Sequence, residues 1–140
     1  MARPLSLTKP AIQENLALFL SLVDVLAQRH DLPEQAVGDP RLLAEEACTN
    51  VVLHAFEGTE AGEMTLRVGY DDGLVELLIE DDGQPFDPDS APAPSLDGSV
   101  EDRPVGGLGW HLIRRLSDEV AYERVSGRNR LTLRKRVEAT

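Results

Sequence analysis

Cysteine is nearly absent. Cys48 stands alone in 140 residues, so no internal disulfide can form. Long apolar runs are missing too: the richest stretch, Leu16 to Leu26, is broken by Ser21 and Asp24 and is too short to span a bilayer. No basic-then-apolar leader opens the chain. Positive charge is scarce, with 14 Lys and Arg against 25 Asp and Glu, a net of −11. A field of that sign repels phosphate backbones and anionic lipid, which speaks against nucleic acid and membrane as partners. These shortages together lead to the expectation of a soluble cytoplasmic protein. What is present, 41% hydrophobic residues, suffices for one domain around a single core.

The charge is uneven. Residues 111–140 carry an excess of +4 and the first 110 an excess of −15. Such polarity is compatible with docking by a charged face, although for any one of these charges an ordinary solvated surface is the commoner case.

No internal repeat is visible. Leu5 to Leu7 reads as a short first strand, and Thr8 with Pro10 as a helix start. Ile12, Leu16, Phe19, Leu20, Val23 and Leu26 follow at helical spacing, giving an amphipathic helix over 11–29. After a connection from Asp31 to Pro40, Asp39 is expected to cap a second helix running to about His54. Met64–Tyr70 and Leu74–Asp81 read as strands joined by a hairpin at Asp72-Gly73. Gly83 to Val105 is Pro-rich and without period, the signature of a lid or binding loop. A third helix starts near Gly107, and Val120–Val125 with Arg130–Lys135 closes the chain as a hairpin around Ser126-Gly127. The inventory predicts a single α+β domain over 1–140. It would be a two-layer sandwich with three helices on a mixed, mostly antiparallel sheet of about five strands.

Three segments carry chemistry. On a helical wheel Asn50 lies about 40° and His54 about 80° from Glu46, a polar stripe flanked by Leu42, Leu43 and Leu53. A carboxylate and a carboxamide among leucines must find partners. They could satisfy each other at i,i+4, or form a hard-cation site with the carboxamide oxygen on Mg²⁺ and the carboxylate beside it as base. In the strand ending at Asp81, alternation places Val75, Leu77, Ile79 and Asp81 on one face, so an inward carboxylate awaits a donor. Gly83 follows, where backbone can bend sharply or approach a flat ligand. Finally Gly106-Gly107-Leu108-Gly109 opens a helix with free N–H groups suited to anionic oxygens. It lacks the Gly-Lys-Ser/Thr of a Walker loop, and it follows a loop rather than the strand of a Rossmann turn. A purine nucleoside triphosphate with Mg²⁺ would satisfy all three segments.

In order and spacing, Glu46-Ala47-Cys48-Thr49-Asn50 with His54, Asp81-Asp82-Gly83 with Phe86-Asp87-Pro88, and Gly106-Gly107-Leu108-Gly109 resemble the N, G1 and G2 boxes of GHKL-type ATP-binding domains. The short bacterial anti-sigma factor serine-protein kinases are the most similar group, and the resemblance covers roughly residues 5–136. It implies the Bergerat α/β sandwich with ATP and Mg²⁺ as cofactors. It also implies Asn50 on Mg²⁺, Glu46 as catalytic base, Asp81 on the adenine amino group, and Gly83 and Phe86 beside it. Gly106, Gly107, Leu108 and Gly109 would lie along the phosphates, and residues 88–105 would form the lid. Partners implied are an anti-sigma factor antagonist offering a serine, a sigma factor, and a second copy in a homodimer. Two positions depart from the family pattern: Pro85 replaces the second glycine of G1, and Asn129-Arg130 stands where many relatives carry Gly-Thr near the adenine. The expected function is therefore an ATP·Mg²⁺-dependent serine/threonine protein kinase and anti-sigma factor. The alternatives are an ATP-liganded binding module that sequesters a regulator without phosphate transfer, and, further behind, a bare ATP hydrolase. A sensor histidine kinase is disfavoured, because no dimerisation helix with a phosphoacceptor histidine precedes the domain.

Overall fold

A computed structural model describes residues 3–85 and 107–138, with Gly107 and Leu108 described in backbone only. Strand β1 (Leu5–Pro10) leads through one 3₁₀ turn (Gln13–Asn15) into α1 (Leu16–Arg29) and then α2 (Glu34–Asn50), which ends in a π turn (Val51–Ala55). Strands β2 (Glu63–Asp71) and β3 (Leu74–Asp81) follow, then α3 (Gly107–Leu116), β4 (Glu119–Val125) and β5 (Arg128–Arg136). The sheet order is β1-β2-β3-β5-β4, and all four described pairings are antiparallel, without the parallel pair a mixed sheet would hold.

The two hairpins form where the sequence placed them. Asp72 (φ 48°) and Gly73 (φ 80°) both lie in the left-handed region, as do Ser126 (φ 52°) and Gly127 (φ 78°). Positive φ at both central residues is what a type I′ turn requires to match the twist of its strands.

The chain departs from its sequence-based reading at two helix boundaries. Thr8 and Pro10 belong to β1, opposite Thr65 and Glu63, rather than opening α1. The second helix begins at Glu34, with Pro33 as its N-cap, and runs straight through Pro40. Pro40 forfeits one backbone hydrogen bond. Against that, Ala36, Val37, Pro40, Leu43, Ala44 and Ala47 are all buried, and their spacing is helical across the proline. Burial of that stripe outweighs the single missing bond. Asp39, expected as the cap, sits within the helix and reaches Lys135 at 3.7 Å.

One face of the sheet meets the helices. Phe19, Val23 and Leu26 of α1 and Leu43, Ala44, Ala47 and Cys48 of α2 pack over Met64, Leu66 and Val68 of β2, Val75, Leu77 and Ile79 of β3, and Leu133 of β5. Each large side chain so buried contributes about 1.5–3 kcal/mol. Burial also pushes the Cys48 thiol up to about 12, leaving it an inert core residue. On the opposite face Arg134 bonds Glu76 at 2.8 Å and also pairs with Glu119, while Arg128 and Arg130 each approach Glu80 at 3.7 Å. Part of the C-terminal excess of positive charge is thus matched within the sheet.

Candidate functional site

Asn50 and Asp81, 31 positions apart in the chain, line one cavity between the end of α2 and the edge of β3 and β5. It is partly open to solvent. Ala47, Val51, Ile79, Trp110 and Leu131 supply apolar walls, and Asn50, His54, Asp81 and Asn129 supply polar groups. An apolar cleft with a few convergent polar atoms is the usual form of a small-molecule site. Trp110, 7% exposed, serves both as helix packing and as part of the cavity wall.

The π turn shapes this end of the cavity. Its i→i+5 bonding turns each residue by less than the α-helical 100°, so positions after Asn50 drift from the wheel drawn for a regular helix. Leu53, expected to flank the polar stripe, is accordingly 47% exposed. Asn50 and His54 keep their places on the cavity. The Asn50 Nδ2 and His54 Nε2 are buried and have no hydrogen-bond partner among the described residues, whereas His54 Nδ1 lies 3.0 Å from Glu57 Oε1. No bond joins Glu46 to Asn50 there, so the two do not form a satisfied core pair. A buried, unpaired amide is costly and calls for a ligand. As placed it offers a donor to an anionic oxygen; with the amide turned over it offers an oxygen to a cation.

Asp81 ends the buried face of β3 and is 4% exposed. Its Oδ1 accepts from the Gly83 N–H at 2.9 Å and from Asn129 Nδ2 at 2.9 Å. The close approach at Gly83 is to backbone: a Cβ there would lie 2.3 Å from the Ala55 carbonyl oxygen and 2.7 Å from Ala55 Cβ. The next residue continues the stitch, for Gln84 N–H donates to the Ala55 carbonyl at 2.9 Å and Gln84 Nε2 to the His54 carbonyl at 2.8 Å. Gly83 therefore lets the end of β3 lie flush against the π turn, which fixes Asp81 and Asn50 around one space. Gly83→Ala should cost about 2–3 kcal/mol and lower the thermal midpoint by roughly 8 °C. A circular-dichroism melt indistinguishable from wild type would refute that close fit.

Glu46 faces elsewhere. It lines a separate groove between α2 and α3, together with Gly109, His111, Leu112, Arg115 and Leu116. A Cβ on Gly109 would lie 2.8 Å from Glu46 Oε2 and 3.6 Å from Asn50 Nδ2, so α3 starts directly against both side chains. Desolvation, and secondarily the neighbouring Glu45 charge, raise the Glu46 carboxyl above the ordinary glutamate range. Glu45 itself is exposed, as its place on the wheel predicts.

Of the expected site residues, Glu46, Asn50, Asp81, Gly83 and Gly109 come together around this end of the sheet. Gly107 and Leu108 open α3 in backbone, and Phe86, Gly106 and the 88–105 segment lie outside the described residues. Gln84, Tyr122 and Arg124 were not anticipated. The register of β3 on β5 sets Asn129 opposite Asp81, a long-range pairing with no local sequence signal. Among the described residues no group of three or more His, Cys, Asp or Glu is arranged to hold a metal. A Mg²⁺ here would need oxygen ligands from a bound phosphate and water beside a single protein group, its usual arrangement at nucleotide sites. No helix among the described residues is long and apolar enough to cross a membrane.

The histidine kinase-like ATPase domain family matches residues 10–135. Among curated proteins, the chain is 30% identical over 126 residues to the serine-protein kinase RsbW of Bacillus subtilis, covering 84% of this chain and 76% of that one. It is 34% identical over 127 residues to RsbW of Halalkalibacterium halodurans (88% and 77% covered), and 37% identical over 92 residues to the serine/threonine-protein kinase BtrW of Bordetella bronchiseptica (66% and 65%). Among solved structures, it is similar in fold to the blue-light activated histidine kinase of Erythrobacter litoralis EL346. The TM-score is 0.57 at 20% identity, with 90% of this chain aligned to 42% of that one.

Proposed function

The chain belongs to the histidine kinase-like ATPase domain family, and from that premise we propose that it is an ATP-dependent serine kinase acting on a small partner protein. The observation that carries the reading is the convergence of Asn50, whose buried Nδ2 lacks a partner among the described residues, and Asp81, a nearly buried carboxylate, on one apolar cavity. The relatives named as serine-protein kinases support it at about 30% identity over most of their length.

In this reading the apolar walls hold the adenine, and Asp81 accepts a hydrogen bond from its amino group. Asn50 would hold Mg²⁺, and the Gly106-Gly107-Leu108-Gly109 segment would offer its backbone N–H groups to the phosphates. Gly83 borders the base. Bound Mg²⁺·ATP supplies the phosphoryl group, with the metal offsetting its charge. Glu46, outside the adenine cavity and against Gly109, receives the proton of the incoming serine hydroxyl. Its groove opens to solvent, as a site for a hydroxyl borne on another protein requires. An anti-sigma factor antagonist is the acceptor, a sigma factor is the regulated partner, the kinase works as a cytoplasmic homodimer, and neither nucleic acid nor membrane takes part.

The test is incubation with γ-labelled ATP, Mg²⁺ and a small antagonist-type acceptor, alongside its Ser→Ala form. Label on the intact acceptor and none on the variant is the expected result. A stable, unlabelled complex would overturn the kinase in favour of a nucleotide-liganded binding module. Release of free phosphate alone would point to a hydrolase.

A further inference from the structure

Asp81 has two carboxylate oxygens, and its neighbours treat them unequally. The Gly83 N–H and Asn129 Nδ2 both donate to Oδ1, each at 2.9 Å. Among the described residues no donor reaches Oδ2, on a side chain that lines the cavity. Asn129, 6% exposed, is in turn held on every side. Its Nδ2 also donates to the Gln84 carbonyl at 2.9 Å, and its Oδ1 accepts from Tyr122 OH at 2.5 Å and from Arg124 Nη1 at 2.9 Å. Arg124 Nη1 donates further to the Gly83 carbonyl at 3.0 Å, and Nη2 to the Gly127 carbonyl at 3.3 Å. The β4–β5 hairpin is thereby clamped to Asp81, Gly83 and Gln84. A side-chain amide offers two donor hydrogens and two acceptor lone pairs, and here all four are used.

We propose that Asn129 is a positioning residue that sets purine selectivity: by occupying Asp81 Oδ1 it holds Oδ2 in the cavity as a fixed acceptor, which favours a 6-amino purine and repels a 6-oxo purine. The inference rests on the nucleotide reading of the cavity. An acceptor facing the exocyclic amine gains a charge-assisted hydrogen bond. Facing a 6-oxo group it meets a second acceptor and stays unpaired, the situation that lets a polar site reject an analogue strongly. Rejection depends on the carboxylate being unable to turn away, and Asn129 is the side chain that, with the Gly83 N–H, holds it. No other described side chain donates to Asp81, so the role falls on this residue.

The probes are ATP and ITP, which differ at the 6 position, titrated into the whole chain by calorimetry with Mg²⁺ present. Wild type should prefer ATP by about 100-fold or more. Asn129→Ala should weaken ATP by about tenfold with ITP nearly unchanged, so that the preference falls to roughly tenfold. Equal weakening of both nucleotides, or an unchanged ratio, would make Asn129 a purely structural residue and overturn the proposal. Should Asn129→Ala fail to fold, Arg124→Gln decides. Arg124 is exposed, and its loss from the outer side of the clamp should lower the same ratio about threefold, an unchanged ratio again overturning the idea. If wild type binds neither nucleotide, the nucleotide reading itself fails. If it binds ATP and the variants keep full discrimination, only the role of Asn129 fails.

Discussion

Glu46→Gln should bind ATP as wild type does and lose transfer to the acceptor serine by about 10²- to 10⁴-fold, the usual contribution of a positioned base. The substitution conserves shape, so the contact with α3 at Gly109 is kept. Glu46 lines the groove rather than the apolar cavity, so its neutralisation should leave the adenine contacts intact and not weaken nucleotide binding. Two further readouts separate this role from a structural one. Burial raises the Glu46 carboxyl, so the acid limb of the transfer rate should fall at a pH above the ordinary glutamate value, and Glu46→Gln should flatten it. The sign for stability is opposite to that for activity. A carboxyl whose folded pKa is raised favours the fold only while protonated, and that contribution is lost as pH rises through the folded pKa. Above that pKa the ionised Glu46 is therefore a burden on the fold, and there the neutral variant should melt no lower than wild type. An inactive protein of equal or greater stability is the mark of a group kept for chemistry. A Glu46→Gln variant that labels its acceptor at the wild-type rate would remove Glu46 from the mechanism.

Local chemistry made much of this legible in advance. Asp72-Gly73 and Ser126-Gly127 dictate left-handed backbone whatever surrounds them, and both hairpins formed there. The alternation ending at Asp81 put a carboxylate on the buried face because side-chain period in a strand is fixed at two. Properties that arise between elements were not legible. Pro40 reads as a helix start by itself, and only the packing of α2 across the sheet shows that burial outweighs its missing donor. The wheel set Glu46 and Asn50 on one stripe, about 40° apart. With α3 docked against them at Gly109, that small angle sends one side chain to the groove and the other to the cavity. Asn129 stood out only as a departure from a family pattern. Its bond to Asp81 depends on β3–β5 register, which two strands 48 positions apart do not advertise.

Asn50→Ala should abolish the Mg²⁺ dependence of ATP binding while leaving the fold intact. In wild type, chelating the metal with EDTA should weaken ATP by on the order of 100-fold, about 2.8 kcal/mol. In the variant, affinity should sit at the chelated level with or without metal. The prediction is sharp because so little else is available: among the described residues no cluster of His, Cys, Asp or Glu could take over the ion. Glu46, the nearest carboxylate on α2, lines the other groove. The usual objection to alanine scanning is that a lost hydrogen bond in the fold mimics a lost ligand contact. Here it has little force, since among the described residues Asn50 Nδ2 is buried without a partner and its removal relieves a desolvated donor rather than breaking a bond. Thermal stability of Asn50→Ala should thus match or exceed wild type, as for Glu46→Gln, while the two variants divide the function: one binds nucleotide and cannot transfer, the other loses the metal-dependent part of binding itself. Unchanged Mg²⁺-dependent affinity in a folded Asn50→Ala would place the ion elsewhere and detach the cavity from phosphate binding. A variant that unfolded would show instead that the amide has a structural partner. The first result would remove the Asn50 oxygen as the metal's ligand, the second would give Nδ2 a partner, and either would undercut the ATP assignment.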